Sequence, residues 1–203
     1  MTRIIGGSAG GRRLRTPPGE ATRPTSDRVR EALFSALEAD LGSLAGLRVL
    51  DLYAGSGAVG LEAMSRGAGV VTSVESDRRT ARLVQHNAST LGFHKVEVLA
   101  QSVSRVLGQH PRAPYDVVFA DPPYPLENEE VEATLALLVS HEWLAVGSVV
   151  VVERSARSVE PAWPQGLVRE RERQYGETVL WYVRADSADV DQDDESAGQD
   201  DAG

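Results

Sequence analysis

Residues able to do chemistry stand at three places, Asp51, Glu75 and Asp121, each closing a short run rich in valine or other apolar residues. The last opens Asp121-Pro122-Pro123-Tyr124. Two prolines fix this turn and remove two backbone donors, leaving an acid, rigid carbonyls and a ring. An exocyclic amine has two N–H donors and a lone pair delocalised into its ring. Asp121 and the Pro122 carbonyl can accept those two hydrogen bonds and hold the nitrogen near tetrahedral. Its lone pair is then aimed at an incoming methyl group, so rate comes mainly from positioning. Asp121 can stabilise or take the displaced proton. Tyr124 can stack on a base drawn out of its helix. The plain alternative is a proline pair that merely ends a strand; the motif becomes specific with what precedes it.

Residues 49–60 read as an apolar strand, a glycine turn and a helix. Gly55 to Gly60 matches G-x-G-x-x-G, the dinucleotide fingerprint. Asp51 opposes that ligand. Phosphate oxygens would rest on the amides of the helix N-terminus, and a carboxylate one loop away repels them. S-adenosylmethionine carries no phosphate, and its sulfonium and ammonium suit an acid. Asp51 can hold the ammonium directly or through water, or it can simply satisfy loop amides. Glu75 lies 20 residues beyond Gly55, near the spacing at which an acid accepts from both ribose hydroxyls. Its alternative role is to cap the helix starting near Asp77.

The elements that must position these groups alternate. Strands are expected over 48–53, 70–75, 95–99, 115–121 and 144–153. Helices are expected over 58–66, from about 77 to 91, over 102–107 and over 127–139. A helix follows Thr25, Ser26 or Asp27, any of which can cap it. Its apolar stripe is Val29, Leu33, Ala36, Leu37, Leu41 and Leu44. Such alternation implies an α/β fold, Rossmann-like, with a mostly parallel sheet and right-handed crossovers. Residues 168–174 and 178–184 form a closing pair around Gly176 that supplies an antiparallel edge. Trp143, Trp163 and Trp181 are expected to pack in the core or at its edge.

The 203 residues carry a formal charge of −9, unevenly spread. From Asp186 onward there are eight acids and no base, which accounts for nearly all of it. Without apolar periodicity, that tail is expected to be disordered. Residues 1–30 hold seven arginines against Glu20 and Asp27. Within the basic arm of residues 1–24, Arg3-Ile4-Ile5 and Arg13-Leu14-Arg15 are expected as two short strands of a small β-hairpin. Such an arm has little core of its own and leaves its arginines to phosphate oxygens. Arg23, Arg28 and Arg30 extend this basic surface along the first helix. The organisation expected is the arm, a domain over 25–185 and the tail over 186–203. There is no cysteine, and His86, His94, His110 and His141 lack metal-ligand spacing, so no metal is expected. No membrane span is expected, and a cytoplasmic monomer is the default.

Arg3-Ile4-Ile5-Gly6-Gly7, the run from Arg23 to Phe34, Leu50 to Gly57 and Asp121 to Tyr124 together resemble the RsmD-type family of 16S ribosomal RNA guanine-N2 methyltransferases. The resemblance covers about residues 1–184. It implies a class I S-adenosylmethionine-dependent methyltransferase fold and methyl transfer to one guanine N2 in the small ribosomal subunit or a late assembly intermediate. It implies that Asp51, Gly55 and Gly57 bind the methionine end, with Tyr53, Ser56 and Ser76 beside them, and that Glu75 takes the ribose. Asp121 to Tyr124 would hold the base, and Arg3, Arg12, Arg13, Arg15, Arg23 and Arg28 the RNA backbone. Related enzymes often place an acid near the adenine amine after strand three; here Gln101-Ser102 stand there, and Ser102 or a backbone amide is the substitute. The same amine chemistry serves adenine in DNA or RNA and protein glutamine. A dinucleotide oxidoreductase and a non-catalytic RNA-binding module are further alternatives, opposed by Asp51 and by the intact acids.

Overall fold

The computed structural model describes residues 2–17, 27–123 and 126–186. Its strands are β1 (Arg48–Leu52), β2 (Val70–Val74), β3 (Val96–Leu99), β4 (Tyr115–Ala120), β5 (Leu144–Ser155), β6 (Leu167–Tyr175) and β7 (Thr178–Ala185). Its helices are α1 (Asp27–Leu41), α2 (Ala58–Ser65), α3 (Arg78–Leu91), α4 (Val103–Leu107) and α5 (Asn128–Ser140). One seven-stranded sheet has the order β3-β2-β1-β4-β5-β7-β6. The first five strands are parallel, and β7 returns antiparallel between β5 and β6. The expected closing pair is therefore present, with its second strand on the inside.

Strand residues alternate between the two faces, which fixes which helices cover them. Leu50, Leu52, Val118, Val150 and Val152 pack with Leu107 of α4 and Leu135 and Leu138 of α5. Val49, Val71, Val117, Val149 and Val151 pack with Leu33, Phe34 and Leu37 of α1 and Ala63 of α2. Each fully buried valine or leucine contributes about 1.5–3 kcal/mol. Asp77 caps α3 by accepting from the Arg79 and Thr80 amides at 3.1 and 2.8 Å. Glycine ends α3: Gly92 takes φ 76°, the left-handed stop. Edge strand β6 carries Arg169, Glu170, Arg171, Glu172 and Arg173, charges that discourage another chain from pairing there. Trp143 and Trp181 are buried, and the Trp163 ring meets Trp181 edge-on at 6.3 Å between centroids.

Two expectations near the N-terminus are corrected. The expected hairpin is reduced to a short antiparallel pairing: a single bridge, Arg3 to Arg13, closes a loop containing a 3-10 turn at Gly7–Ala9. The arm has little core of its own and borrows one: Ile4, Ala9 and Leu14 bury against Leu61 of α2 and Ala88 of α3. Its two segments still pair through their backbones, Ile4 N–H to the Arg12 carbonyl at 2.8 Å, Gly11 N–H to the Ile4 carbonyl at 2.8 Å and Leu14 N–H to the Thr2 carbonyl at 2.9 Å, while side chains of α2 take the Ile5, Gly6 and Ala9 amides. Arg30 is not part of a basic surface. It is fully buried, and its Nη2 donates to the Arg3 carbonyl at 2.5 Å and to Asp27 Oδ1 at 3.0 Å. Thr25, Ser26 and Arg23 lie outside the described residues, as does the acidic stretch from residue 187. No helix among the described residues is long and apolar enough to cross a membrane.

Candidate active site

Parallel register sets the site. Leu52 lies beside Val74 of β2 and Ala120 of β4. The next residues, Tyr53, Glu75 and Asp121, therefore leave the sheet at one level. This is the carboxyl edge, where ligands bind in doubly wound sheets.

The loop between β1 and α2 is built on glycines and one strained tyrosine. Gly57 precedes α2 at φ 77°, and a Cβ there would lie 2.6 Å from Val84 Cγ1 of α3. Gly60 allows close packing of α2 on the sheet: a Cβ would meet Ser73 Oγ and Val71 Cγ1 at 2.9 Å. At Gly55 a Cβ would meet nothing within 4 Å, so the loop is open on that side. Tyr53 sits at φ 59°, a rare conformation for a bulky residue that clusters at ligand sites. Its hydroxyl lies 3.2 Å from Thr134 Oγ1 of α5, and burial holds its pKa above the usual value.

Asp51 is buried, and its Oδ2 accepts the Gly60 amide at 2.9 Å. Loss of solvation pushes its carboxyl up to about 7; the Gly60 N–H opposes this and the charge of Glu75 adds to it. Glu75 Oε2 accepts from the Gly55 amide at 2.9 Å and Oε1 from the Asp77 amide at 2.8 Å. Asp51 thus satisfies an amide in the first turn of α2, and Glu75 ties Gly55 of the loop to the start of α3, whose cap is Asp77 rather than Glu75. A carboxylate offers about four lone-pair sites, so neither oxygen of Glu75 is exhausted. Ser76 is exposed beside Glu75. Ser102 caps α4, its Oγ accepting the Arg105 amide at 3.4 Å.

Asp121 is half-buried, and its amide is 3.5 Å from the Leu52 carbonyl. Pro122 is buried and Pro123 exposed, with the Pro123 carbonyl accepting from the Leu126 amide at 2.9 Å. Tyr124 lies outside the described residues. Sequence reasoning missed what pins the far end of this turn. Buried Arg154 of β5 donates from Nη2 to the Leu126 carbonyl at 2.8 Å.

The arm meets the site from the side of α2 and α3. Arg3, Arg12, Arg13, Arg15 and Arg28 are exposed, with Arg3 paired to Asp27 at 3.1 Å. Glu62 of α2 is fully buried and accepts the Ile5 and Gly6 amides at 2.7 and 2.8 Å. Arg66 Nε reaches the same carboxylate at 2.8 Å. Ser65 Oγ accepts from the Ala9 amide and donates to the Gly6 carbonyl. These anchors were also missed; the available signal was an acid inside the otherwise apolar run Val59–Met64 of α2.

The donor set suits a cationic ligand without phosphate. Two acids border the loop, one of them kept close to neutral by burial. A positive group set over them would restore its charge.

A family model described as Conserved hypothetical protein 95 matches residues 2–184. Over 192 residues, 94% of either chain, the sequence is 35% identical to the Ribosomal RNA small subunit methyltransferase D of Escherichia coli. The chain belongs to the RsmD-type methyltransferase family. The protein of the same name from Haemophilus influenzae is 38% identical over 154 residues, 74% of this chain and 77% of its own. The solved structure of yhhF from Escherichia coli superposes with a TM-score of 0.81 at 33% identity, covering 92% of this chain and 98% of that one. The match begins at residue 2, so the arm belongs to the RsmD-type unit. The sheet is the Rossmann-like class I methyltransferase fold, shared with a magnesium protoporphyrin IX methyltransferase from Synechocystis solved with S-adenosylmethionine bound, TM-score 0.61 at 17% identity, covering 78% of either chain. Among the described residues no group of histidines and acids could hold a metal ion.

Proposed function

We propose that this RsmD-type protein methylates the exocyclic N2 amine of one guanine in small-subunit ribosomal RNA, within the subunit or a late assembly intermediate. The observation that carries the reading is the Asp121-Pro122-Pro123 turn leaving the sheet level with Glu75, which holds the Gly55 amide of the neighbouring loop. The name of the Escherichia coli relative supports the RNA class. Asp51 and Glu75 would hold S-adenosylmethionine, which would supply a methyl group made electrophilic by its sulfonium and leave as S-adenosylhomocysteine when the S–CH3 bond breaks. Asp51 acts from beneath the loop, offering charge to the ammonium end, and Gly55, Ser56 and Gly57 let backbone close on it. Tyr53 and Ser76 flank this end. Glu75 accepts from the ribose hydroxyls, and Ser102 or its neighbouring amides meet the adenine.

Asp121 and the Pro122 carbonyl accept the two N–H groups of guanine N2, and Asp121 takes the proton released on transfer. Tyr124 stacks on the base. Arg12, Arg13 and Arg15, with Arg3, Arg23 and Arg28, bind phosphates. Residues 1–24 are thus the RNA-contacting arm of a catalytic domain over 25–185, acting in the cytoplasm as a monomer.

The test is transfer from labelled S-adenosylmethionine to unmethylated small subunits, naked ribosomal RNA, DNA and protein, with nucleoside analysis of the product. Label in N2-methylguanosine from the subunit is expected. Label in another amine would keep the role of Asp121 and overturn the substrate. Asp121→Ala should abolish turnover while RNA affinity stays within about twofold; normal turnover would refute the mechanism.

A further inference from the structure

Asn87 lies within α3 and is 3% exposed. Its amide is shared between two separate parts of the molecule. Oδ1 accepts the Arg15 N–H at 3.0 Å, and Nδ2 donates to the Arg15 carbonyl at 2.9 Å. Nδ2 also donates to the Ser56 carbonyl at 3.2 Å. An asparagine amide has two N–H donors. Here one is given to the arm and the other to the glycine loop. Helix α3 touches both partners a second time. Val84 closes against Gly57, and the Thr90 carbonyl accepts from Arg12 Nη2 at 3.2 Å. One face of a single helix therefore seats both the arginine arm and the cofactor loop.

We propose that Asn87 is a positioning residue that couples RNA binding by the arm to cofactor binding by the loop. The inference rests on the reading of these two segments given above. A ligand that orders the Ser56 loop fixes the Asn87 amide, and the Arg15 backbone is then ordered at less cost. Linkage makes the effect reciprocal: RNA on the arm tightens the cofactor site by the same factor. Neither ligand needs to touch Asn87.

The test measures binding of labelled S-adenosylhomocysteine, which allows no turnover, to the free protein and to the protein saturated with unmethylated small subunits. Wild type should bind about tenfold more tightly in the second state, within the usual range of coupling between sites. In Asn87→Ala that ratio should fall to about one, although either ligand alone still binds. Asn87→Asp keeps the acceptor for the Arg15 N–H and loses both donors; it should also fall to about one, and it carries the test if the alanine variant fails to fold. A packing role alone would weaken both states equally and leave the ratio unchanged. A ratio of one in wild type, or a tenfold ratio preserved in the variants, overturns the coupling while leaving the methyltransferase reading intact. Failure of wild type to bind either ligand overturns that reading, and this inference with it.

Discussion

Asp51→Asn should make the cofactor-free protein more stable while weakening its grip on S-adenosylmethionine. The buried carboxyl is pushed up to about 7 from an ordinary 3.8, chiefly by lost solvation, with a contribution from Glu75 and opposition from the Gly60 N–H. The folded pKa is raised, so between roughly pH 4 and 7 the folded protein holds a proton that the unfolded chain has released. Stability therefore falls as pH rises through that window, and above about 7 the cost of the buried charge is fully present. At 1.36 kcal/mol per pH unit, the whole gap sets a ceiling of about 4 kcal/mol, of which about 2–3 kcal/mol accrues between pH 5 and pH 8. Asparagine keeps the size and an acceptor for the Gly60 amide, and it never carries the charge. Urea unfolding of wild type and variant at pH 5 and pH 8, without cofactor, reads the difference. The advantage of the variant should grow by about 2–3 kcal/mol, equivalent to a melting shift of roughly 4–12 °C for a chain of this size. Cofactor affinity of wild type should rise as pH increases through about 7, because the ionised form attracts the cation; the variant should lose that pH dependence. A stability difference that does not change with pH, or a variant less stable at pH 8, would refute the reasoning. It would mean that the fold satisfies the Asp51 charge without any ligand.

Gly57→Ala combines a left-handed φ with a Cβ 2.6 Å from Val84 Cγ1; it should cost about 1–3 kcal/mol in melting experiments and weaken cofactor affinity by at least about tenfold. Glu62→Gln keeps the shape of the arm anchor but removes its charge beside Arg30 and Arg66 and turns an amide donor toward an N–H it should accept. A loss of about 3–5 kcal/mol is expected, with faster hydrogen exchange at the Ile5 and Gly6 amides; slow exchange at both would contradict the anchoring. Replacing Arg12 and Arg13 together by alanine should lower the slope of log affinity for RNA against log salt by about 1.5 and leave cofactor affinity unchanged. An unaltered slope would remove both residues from the phosphate contacts.

The strands and their order of appearance were legible because buried parallel strands are short, apolar and punctuated by glycine, and because register brings Tyr53, Glu75 and Asp121 to one edge whatever the loops do. The ends of α3 were legible from Asp77 and Gly92, local signals that act within one turn. The insertion of β7 between β5 and β6 follows from neither periodicity nor spacing, since a hairpin can dock by either strand; burial decides it. Residues 179–183 of β7 are buried, whereas β6 alternates charges toward solvent.

The arm is where local reasoning had least to work with. Arg30 looked like one more surface cation because exposure is the rule for arginine, yet it is fully buried against a carbonyl of the arm. Glu62, Ser65 and Asn87 carry no local signal of what they bind. Their partners are backbone groups of the arm, separated from them in sequence by 56 to 72 residues, a distance no local pattern encodes. This mode of attachment has a functional consequence. Residues 4–15 are fastened mainly through their peptide groups and three apolar anchors, Ile4, Ala9 and Leu14; of the three arginines, Arg12 adds one hydrogen bond, to the Thr90 carbonyl. The arginine side chains stay exposed while the backbone that carries them is fixed. An arm fastened by salt bridges from those arginines would lose its phosphate contacts to its own anchoring; one fastened by Glu62 and Asn87 keeps both.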